Sequence, residues 1–367
     1  MKTRVYLFVV IVTIFCMGVI MVFNTTSAEM IDRGSEIWSY LSMAKQIAFC
    51  SLGLFLGYLI YLFSYERLIQ YAHILLGFSL FLLILVFVPK IGMHINGAHR
   101  WINCFGVSLQ PSEFVKIVLP LFYLRLFSKA PKILRFKTFF LWQFILLAPI
   151  GLIIIEPDNG TAAILLATLV VLYFITKIRW LYWVIPIIIV SCLAVTLALS
   201  MKHVSDRIHI YLHPEADLLG KGHQPYQAKI AAGTGGLFGR GLGESLQKYN
   251  YLPEARSDYI AAIYAEEFGF VGILLLIILY MAIAVCGFKI AAASEDQDGY
   301  YLATIFTFMI ALQAFLNLGV VSGLLPSKGT NLPFFSQGGS SLLANIFMIS
   351  IIMSVGEKRV VCIKQSS

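Results

Sequence analysis

Residues 259–288, YIAAIYAEEFGFVGILLLIILYMAIAVCGF, hold two charged side chains in thirty positions, Glu266 and Glu267, both in the first third of the stretch. A helix needs about 20 mostly apolar residues to cross the hydrocarbon core of a bilayer. This segment has that length with room to spare, and its reading as a membrane-spanning helix decides the fold class.

Working outward, the same criterion finds nine more spans: 5–23, 46–64, 71–89, 111–127, 138–155, 160–176, 180–200, 301–323 and 339–355. The expected fold is all-α, a polytopic integral membrane protein of about ten transmembrane helices in one membrane domain covering residues 1–367. Composition agrees. Of the 367 residues, 59% are hydrophobic and 13% charged; soluble proteins run near about 45–50% and about 25%. Lys2 and Arg4 before the apolar run from Val5 to Phe23 imitate a secretory signal. That run exceeds the usual ~7–15-residue apolar region of a signal peptide, so an uncleaved first span is expected.

The net charge of +8 would suit nucleic acid, but membrane proteins also gather Lys and Arg in their cytoplasmic loops. With the N-terminus inside, Arg125, Lys129, Lys132, Arg135 and Lys137 fall together on the inner side. The short outer loops hold only Arg33, Lys45, Lys90, Arg100 and Lys328. Both termini are then cytoplasmic, as an even number of spans requires, and no nucleic acid is called for. The cysteines (Cys16, Cys50, Cys104, Cys192, Cys286 and Cys362) show no CxxC or Cys/His spacing. Buried apolar thiols are the reading, with no zinc site and no disulfide framework indicated.

One connection breaks the pattern. Residues 201–258 form a long outer loop between the seventh and eighth spans, rich in glycine, with seven basic residues and an amphipathic stretch around Gln224 to Ala232. Loops of this length are usually functional or disordered. This one ends beside a carboxylate, Asp258, which points to function.

Ionisable groups inside or at the rim of a membrane are costly and mark functional sites by default. Four segments qualify. In the first, GAHRWI (97–102) precedes QPSEFVK (110–116). Pro111 and Ser112 suit a helix start, which makes Glu113 and Lys116 i, i+3 neighbours on one face. The two charges either pin this helix to its neighbours or wall a polar cavity that opens outward. In the second, EPDNGT (156–161), Asp158 or Asn159 is expected to cap the sixth helix after a tight reversal. In the third, Asp258 stands where the long loop enters the eighth helix, and Glu266 and Glu267 lie about two turns deeper. Capping explains one carboxylate at a helix start, not three. The fourth runs from GLLPSKG (323–329) through Leu332, Pro333 and Phe334 to SQGGSS (336–341). It reads as a re-entrant loop, tolerated at membrane depth only where it is buried in protein or lines a cavity. Its small residues, Ser340 and Ser341 among them, offer backbone N–H groups that suit a phosphate.

The run GTGGLFGRGLG (233–243) invites a nucleotide-binding reading. It lacks the terminal Gly-Lys-Ser/Thr of a P-loop, and no GxGxxG register between strand and helix fits. It is rejected.

Together, GAHRWI with QPSEFVK, LPEARSDYIAAIYAEEFGF (252–270), and GLLPSKG with LPFFSQGGSS (332–341) resemble the SEDS family of shape, elongation, division and sporulation proteins over nearly the whole chain. The stretch GLGESLQKYNYLPEA (241–255) and the PSKG form are more similar to the family's division member than to its elongation member. The resemblance implies a ten-helix peptidoglycan glycosyltransferase, polymerising lipid II into glycan strands at the outer face of the cytoplasmic membrane for the septal wall. It also implies a class B penicillin-binding protein as transpeptidase partner, with other divisome proteins nearby. It places the family's essential aspartate on Asp258, its Glu–Lys pair on Glu113 and Lys116, and its loop arginine on Arg100. This chain departs from the family pattern with Arg256-Ser257-Asp258-Tyr259 where His-Thr-Asp-Phe is usual, Glu156 where Gln is usual, and Gln337 where Tyr is usual.

Under that resemblance Asp258 is the expected base for the sugar hydroxyl. Arg100 and Lys116, with Lys221, Lys229, Arg240, Arg256 or Lys328, are the cations for the departing diphosphate. Glu266, Glu267, Ser340 and Ser341 would line the substrate cavity. No cofactor is required; a divalent cation bridging carboxylate and diphosphate is compatible, though no spacing specifies one. The rival readings are a lipid II flippase using the Glu113–Lys116 pair and a non-catalytic scaffold that activates a penicillin-binding protein.

Overall fold

The computed structural model describes residues 2–31, 37–89, 91–95, 98–104, 107–130, 135–188, 211, 222–249, 252, 255–326 and 329–365. In chain order these form α1 (Lys2–Ile31), α2 (Ile37–Phe63), α3 (Tyr65–Leu85), β1 (Gly92–Ile95), β2 (Ala98–Cys104), β3 (Val107–Leu109), α4 (Pro111–Ser128), α5 (Phe136–Ile155) and α6 (Asn159–Ile175). Then follow α7 (His223–Thr234), α8 (Ile260–Ala292), α9 (Gln297–Val321) and α10 (Gly339–Gln365).

Seven of the described helices are long and apolar enough to cross a membrane: α1, α2, α3, α5, α8, α9 and α10. Two more expected spans are present but short or charged. α6 is apolar over 17 residues, and α4 carries Glu113, Lys116 and Arg125 within 18. Of the expected span 180–200, residues 180–188 are helical and the remainder lies outside the described residues.

The bundle has an inside and a lipid side. α4, α9 and α10 are mostly buried, whereas α1, α2, α3 and α8 expose rows of large apolar side chains such as Phe55, Tyr58, Phe78, Phe81, Leu274, Ile278 and Met281. In water such rows would drive aggregation; against lipid tails they are solvated. Arg4 of α1 packs on Gly356 of α10, so the two ends of the described chain share one end of the bundle. The polar contacts at the starts of α4, α6 and α10 lie toward the opposite end of α10.

Two features extend the all-α reading. Between α3 and α4 the chain folds into an antiparallel sheet in the order β1-β2-β3, with Gly92 opposite Ile102, Met93 opposite Trp101 and Ile102 opposite Leu109. Alternation is too short in these strands to stand out beside nineteen-residue apolar runs. The second feature is a break inside α8, the span expected at 259–288. Gly269 has φ 66° and ψ −163°, a region that is essentially glycine-only, and the helix kinks there.

Candidate active site

The site is built where four segments distant in sequence meet. Asp258 is half-buried just ahead of α8, and the cap position belongs to the next residue, Tyr259. Asn317, fully buried in α9, donates from Nδ2 to the Asp258 carbonyl at 2.8 Å and to the Thr330 carbonyl at 2.7 Å. That amide ties the start of α8 to the loop ahead of α10. Ser336 Oγ donates to the Ser257 carbonyl at 2.6 Å, and the Gln337 amide donates to the Arg256 carbonyl at 3.0 Å. The Asp258 carboxylate lies against Gly329, where a Cβ would sit 2.9 Å from Oδ2. Three consecutive residues, 256–258, are thus laced to one loop.

That loop is re-entrant, as the sequence predicts. Leu332, Pro333, Phe334 and Phe335 are buried. Tyr280, well down α8, donates to the Pro333 carbonyl at 2.6 Å, and Phe335 packs its backbone on Gly18 of α1. Irregular backbone at this depth is enclosed by protein, the condition a bilayer imposes.

The start of α4 supplies the second set of groups. Lys116 Nζ and Glu113 Oε2 form an ion pair at 2.7 Å, both side chains buried. Lys116 also donates to Gln313 Oε1 at 3.0 Å. Gln313 Nε2 passes the connection on to the Asn331 carbonyl at 2.8 Å and to Ser341 Oγ at 3.5 Å. Ser340 Oγ accepts from the Gln110 amide at 3.0 Å. The two serines therefore join α10 to α4 and α9 through their side chains.

The α5–α6 turn closes the ring. Asp158 caps α6, accepting from the Thr161 amide at 3.2 Å, and its other oxygen accepts from Gln110 Nε2 at 3.0 Å and Ser112 Oγ at 3.2 Å. Arg100, carried by β2, donates from Nε to the Glu156 carbonyl at 3.2 Å and from Nη2 to the Pro157 carbonyl at 2.5 Å. Glu156 itself is completely buried, and neither carboxyl oxygen has a hydrogen-bond partner among the described residues. Burial first, then the neighbouring Asp158 charge, push its carboxyl from 4.5 up to about 8; Arg100 pulls the other way and is outweighed.

Glu266 and Glu267 go elsewhere. Both are buried on the face of α8 that meets the 222–249 segment. Glu266 accepts from Ser245 Oγ at 2.5 Å, the Leu246 amide at 3.2 Å and the Gln247 amide at 3.3 Å, with Arg240 Nη1 at 3.8 Å. Glu267 receives Asn24 Nδ2 at 2.6 and 2.7 Å and Lys248 Nζ at 3.2 Å. These partners come from α1 and the loop, whereas the residues around Asp258 come from α9 and the re-entrant loop. The expected cavity role of the two glutamates gives way to a fastening one, because each oxygen is already spent on the protein.

The glycine run finds its use in the same place. The amides of Arg240 and Gly241 donate to the carbonyls of Glu266 and Glu267, each at 3.0 Å. The amides of Phe270 and Val271 donate to the carbonyls of Gly236 and Leu237 at 2.9 and 3.1 Å. The loop supplies the backbone partners that the kink at Gly269 takes from α8. A Cβ at Gly235, Gly239 or Gly269 would land on the facing backbone.

Sequence reasoning missed Gln313, Asn317, Asn331 and Lys248. The first two carried a legible signal: amides four residues apart, on one face of an otherwise apolar span. Lys328 and Lys221 lie outside the described residues, and Arg256 is placed at the mouth of the re-entrant loop by its backbone. Among the described residues no three His, Cys, Asp or Glu side chains gather as metal ligands.

Fold and site together define a multi-pass membrane protein with a ring of buried polar contacts at one end of its bundle, holding a half-buried aspartate at the start of a kinked helix. Residues 4–360 match the family described as "Cell cycle protein", which groups FtsW, RodA and SpoVE, and the chain belongs to that family. It is 34% identical to the "Probable peptidoglycan glycosyltransferase FtsW" of Trichlorobacter lovleyi, over 95% of this chain and 92% of that one. It is 35% identical to "Stage V sporulation protein E" of Bacillus subtilis, over 96% and 97% of the two chains. Among solved structures it is similar to a chain of a peptidoglycan synthase complex that coordinates polymerisation and crosslinking. The TM-score is 0.78 and the identity 27%, over 96% of this chain and 97% of that one. The rod shape determining protein RodA of Thermus thermophilus matches with a TM-score of 0.70 and 27% identity, over 96% of each chain.

Proposed function

We propose that this protein is a peptidoglycan glycosyltransferase that polymerises lipid II at the outer face of the bacterial cytoplasmic membrane, for septal wall synthesis. The whole chain acts as one membrane domain of ten spans with both termini cytoplasmic, and the polar end of the bundle faces outward. The observation that carries the reading is Asp258, fixed through its backbone by Asn317 and set against Gly329, within the same ring of contacts as Arg100 and the Glu113–Lys116 pair.

In the reaction a sugar 4-hydroxyl attacks an anomeric carbon; the new C–O bond forms as the bond to the lipid diphosphate breaks. Asp258 takes the hydroxyl proton, a contribution of typically 10²–10⁴-fold. Arg100, already oriented by two carbonyls, is the cation for the departing diphosphate. Lys116 acts one step back: its charge is committed to Glu113 and Gln313, so it fixes the start of α4 instead of meeting the ligand. A class B penicillin-binding protein is the proposed transpeptidase partner, acting with other division proteins.

The test is polymerisation of labelled lipid II by purified protein, with and without that partner, comparing wild type with Asp258→Asn. Glycan ladders from the wild type and at least a hundredfold loss in the variant are expected. Ladders undiminished in the variant would remove the assignment of the base. Lipid translocation without polymer in every condition would favour a flippase.

A further inference from the structure

The α5–α6 turn contains a group the reaction above does not use. Glu156 is a fully buried carboxyl whose two oxygens have no hydrogen-bond partner among the described residues, in a turn where Asp158 and the carbonyls of residues 156 and 157 are all engaged. Its own backbone carbonyl is held by Arg100 Nε, and the next carbonyl by Arg100 Nη2. The guanidinium therefore lies beside Glu156 and binds its main chain, not its side chain. A buried carboxylate next to an arginine would normally be captured by it as a bidentate pair. The side chain here is not captured, which is the behaviour of a neutral acid.

We propose that Glu156 is a positioning residue that works uncharged, leaving Arg100 available to the anionic diphosphate, and that its ionisation withdraws Arg100 from that ligand.

The charge balance of the turn carries the argument. Among the described residues two charged groups face Glu156: Asp158 from the cap of α6 and Arg100 from β2. On α4, Glu113 and Lys116 are spent on each other. Residues 74–85 at the near end of α3 contain no titratable side chain, and Gly329 and Thr330, which cover the start of α6, are uncharged. With Glu156 neutral, Asp158 and Arg100 balance, and Asp158 is occupied by Thr161, Gln110 and Ser112. With Glu156 ionised the turn holds a net negative charge facing a diphosphate. Burial and Asp158 set that change at about pH 8. Glutamine is the neutral side chain of the same shape.

The inference rests on the diphosphate reading of Arg100, and the experiment separates the two. Undecaprenyl diphosphate binding to the full-length protein in nanodiscs is measured from pH 6.5 to 9.5 for wild type, Glu156→Gln and Arg100→Gln, alongside KM and kcat for lipid II. One added charge at ~10 Å and an effective dielectric near 20 corresponds to about tenfold in affinity. Wild-type affinity is expected to fall about tenfold through pH 8, with kcat falling alongside it as the leaving diphosphate loses Arg100, and Glu156→Gln to stay level in both. An equal alkaline fall in wild type and Glu156→Gln, with binding weakened by Arg100→Gln, overturns the role of Glu156 alone. Binding untouched by Arg100→Gln overturns both readings. Infrared titration keeps the wild type itself informative: a protonated-carboxyl band that disappears near pH 8 supports the proposal. Its absence across pH 7–9 refutes it.

Discussion

Asp258 and the Glu266–Glu267 pair stand about two and a half turns apart on the same stretch of chain, and the fold treats them in opposite ways. The glutamates are buried and their oxygens filled by Ser245, Leu246, Gln247, Asn24 and Lys248. Asp258 is half-buried, and its neighbours Asn317, Ser336 and Gln337 grip the main chain of residues 256–258. A carboxylate saturated by protein donors holds two segments together. One whose backbone is clamped by its surroundings is aimed. Three acidic residues that look alike in sequence thus differ in how they are held: two through their carboxylates, the third through a clamped main chain.

The sharpest way to break that comparison is substitution at both places. Asp258→Asn should lower glycan polymerisation by at least a hundredfold in the gel assay and leave thermal unfolding in detergent nearly unchanged. Glu267→Gln should do the reverse: a lower melting temperature from a Lys248 left buried without its charge partner, with residual polymerisation in the fraction that stays folded. If both variants lose activity at equal stability, the division fails.

The α4 pair should behave as a fastener too. Lys116→Met leaves Glu113 as an uncompensated buried charge, a loss of about 3–5 kcal/mol. Replacing both partners by Leu and Met should recover much of that in the same unfolding experiment. Next in size is Gly269→Ala, which puts a Cβ onto the Gly239 amide in a conformation costing about 1–3 kcal/mol. Its readout is faster proteolysis within residues 222–249, because the glycine run would lose its seat on α8.

A further contrast concerns stability and pH at Glu156. The folded state keeps its proton up to about 8, while the unfolded chain releases it near 4.5. The folded state binds more protons across that window, so stability falls as pH rises from about 4.5 to about 8. Glu156→Gln should flatten that slope: its melting temperature should exceed the wild type's at pH 7.5 by more than at pH 5.

Much of the site was legible because its chemistry is local. The i, i+3 spacing of Glu113 and Lys116 predicts an ion pair that the structure shows at 2.7 Å. The Glu-Pro-Asp-Asn-Gly turn predicts a cap by Asp158 or Asn159, which the structure gives to Asp158, and the proline–glycine–serine segment predicts the re-entrant loop. The sheet of residues 92–109 was hidden because three short strands, the longest of seven residues, give too little alternation to read. The glycine run could be denied a nucleotide from its missing lysine, but its seat on a kinked helix lay beyond any motif.

The sequence by itself determined that this is a membrane protein, where most of its spans run, and which few ionisable groups sit where charge is expensive. Hydrophobic length and helical spacing act over a few turns, so a chain declares them residue by residue. Only the tertiary structure decided which acid has its main chain clamped, which have their oxygens filled by protein donors, and which is buried without a partner among the described residues. The partners responsible are 59 residues away for Asn317 and Asp258, 197 for Gln313 and Lys116, and 243 for Asn24 and Glu267. The environment of a buried carboxyl is the sum of groups that only folding brings within hydrogen-bond reach.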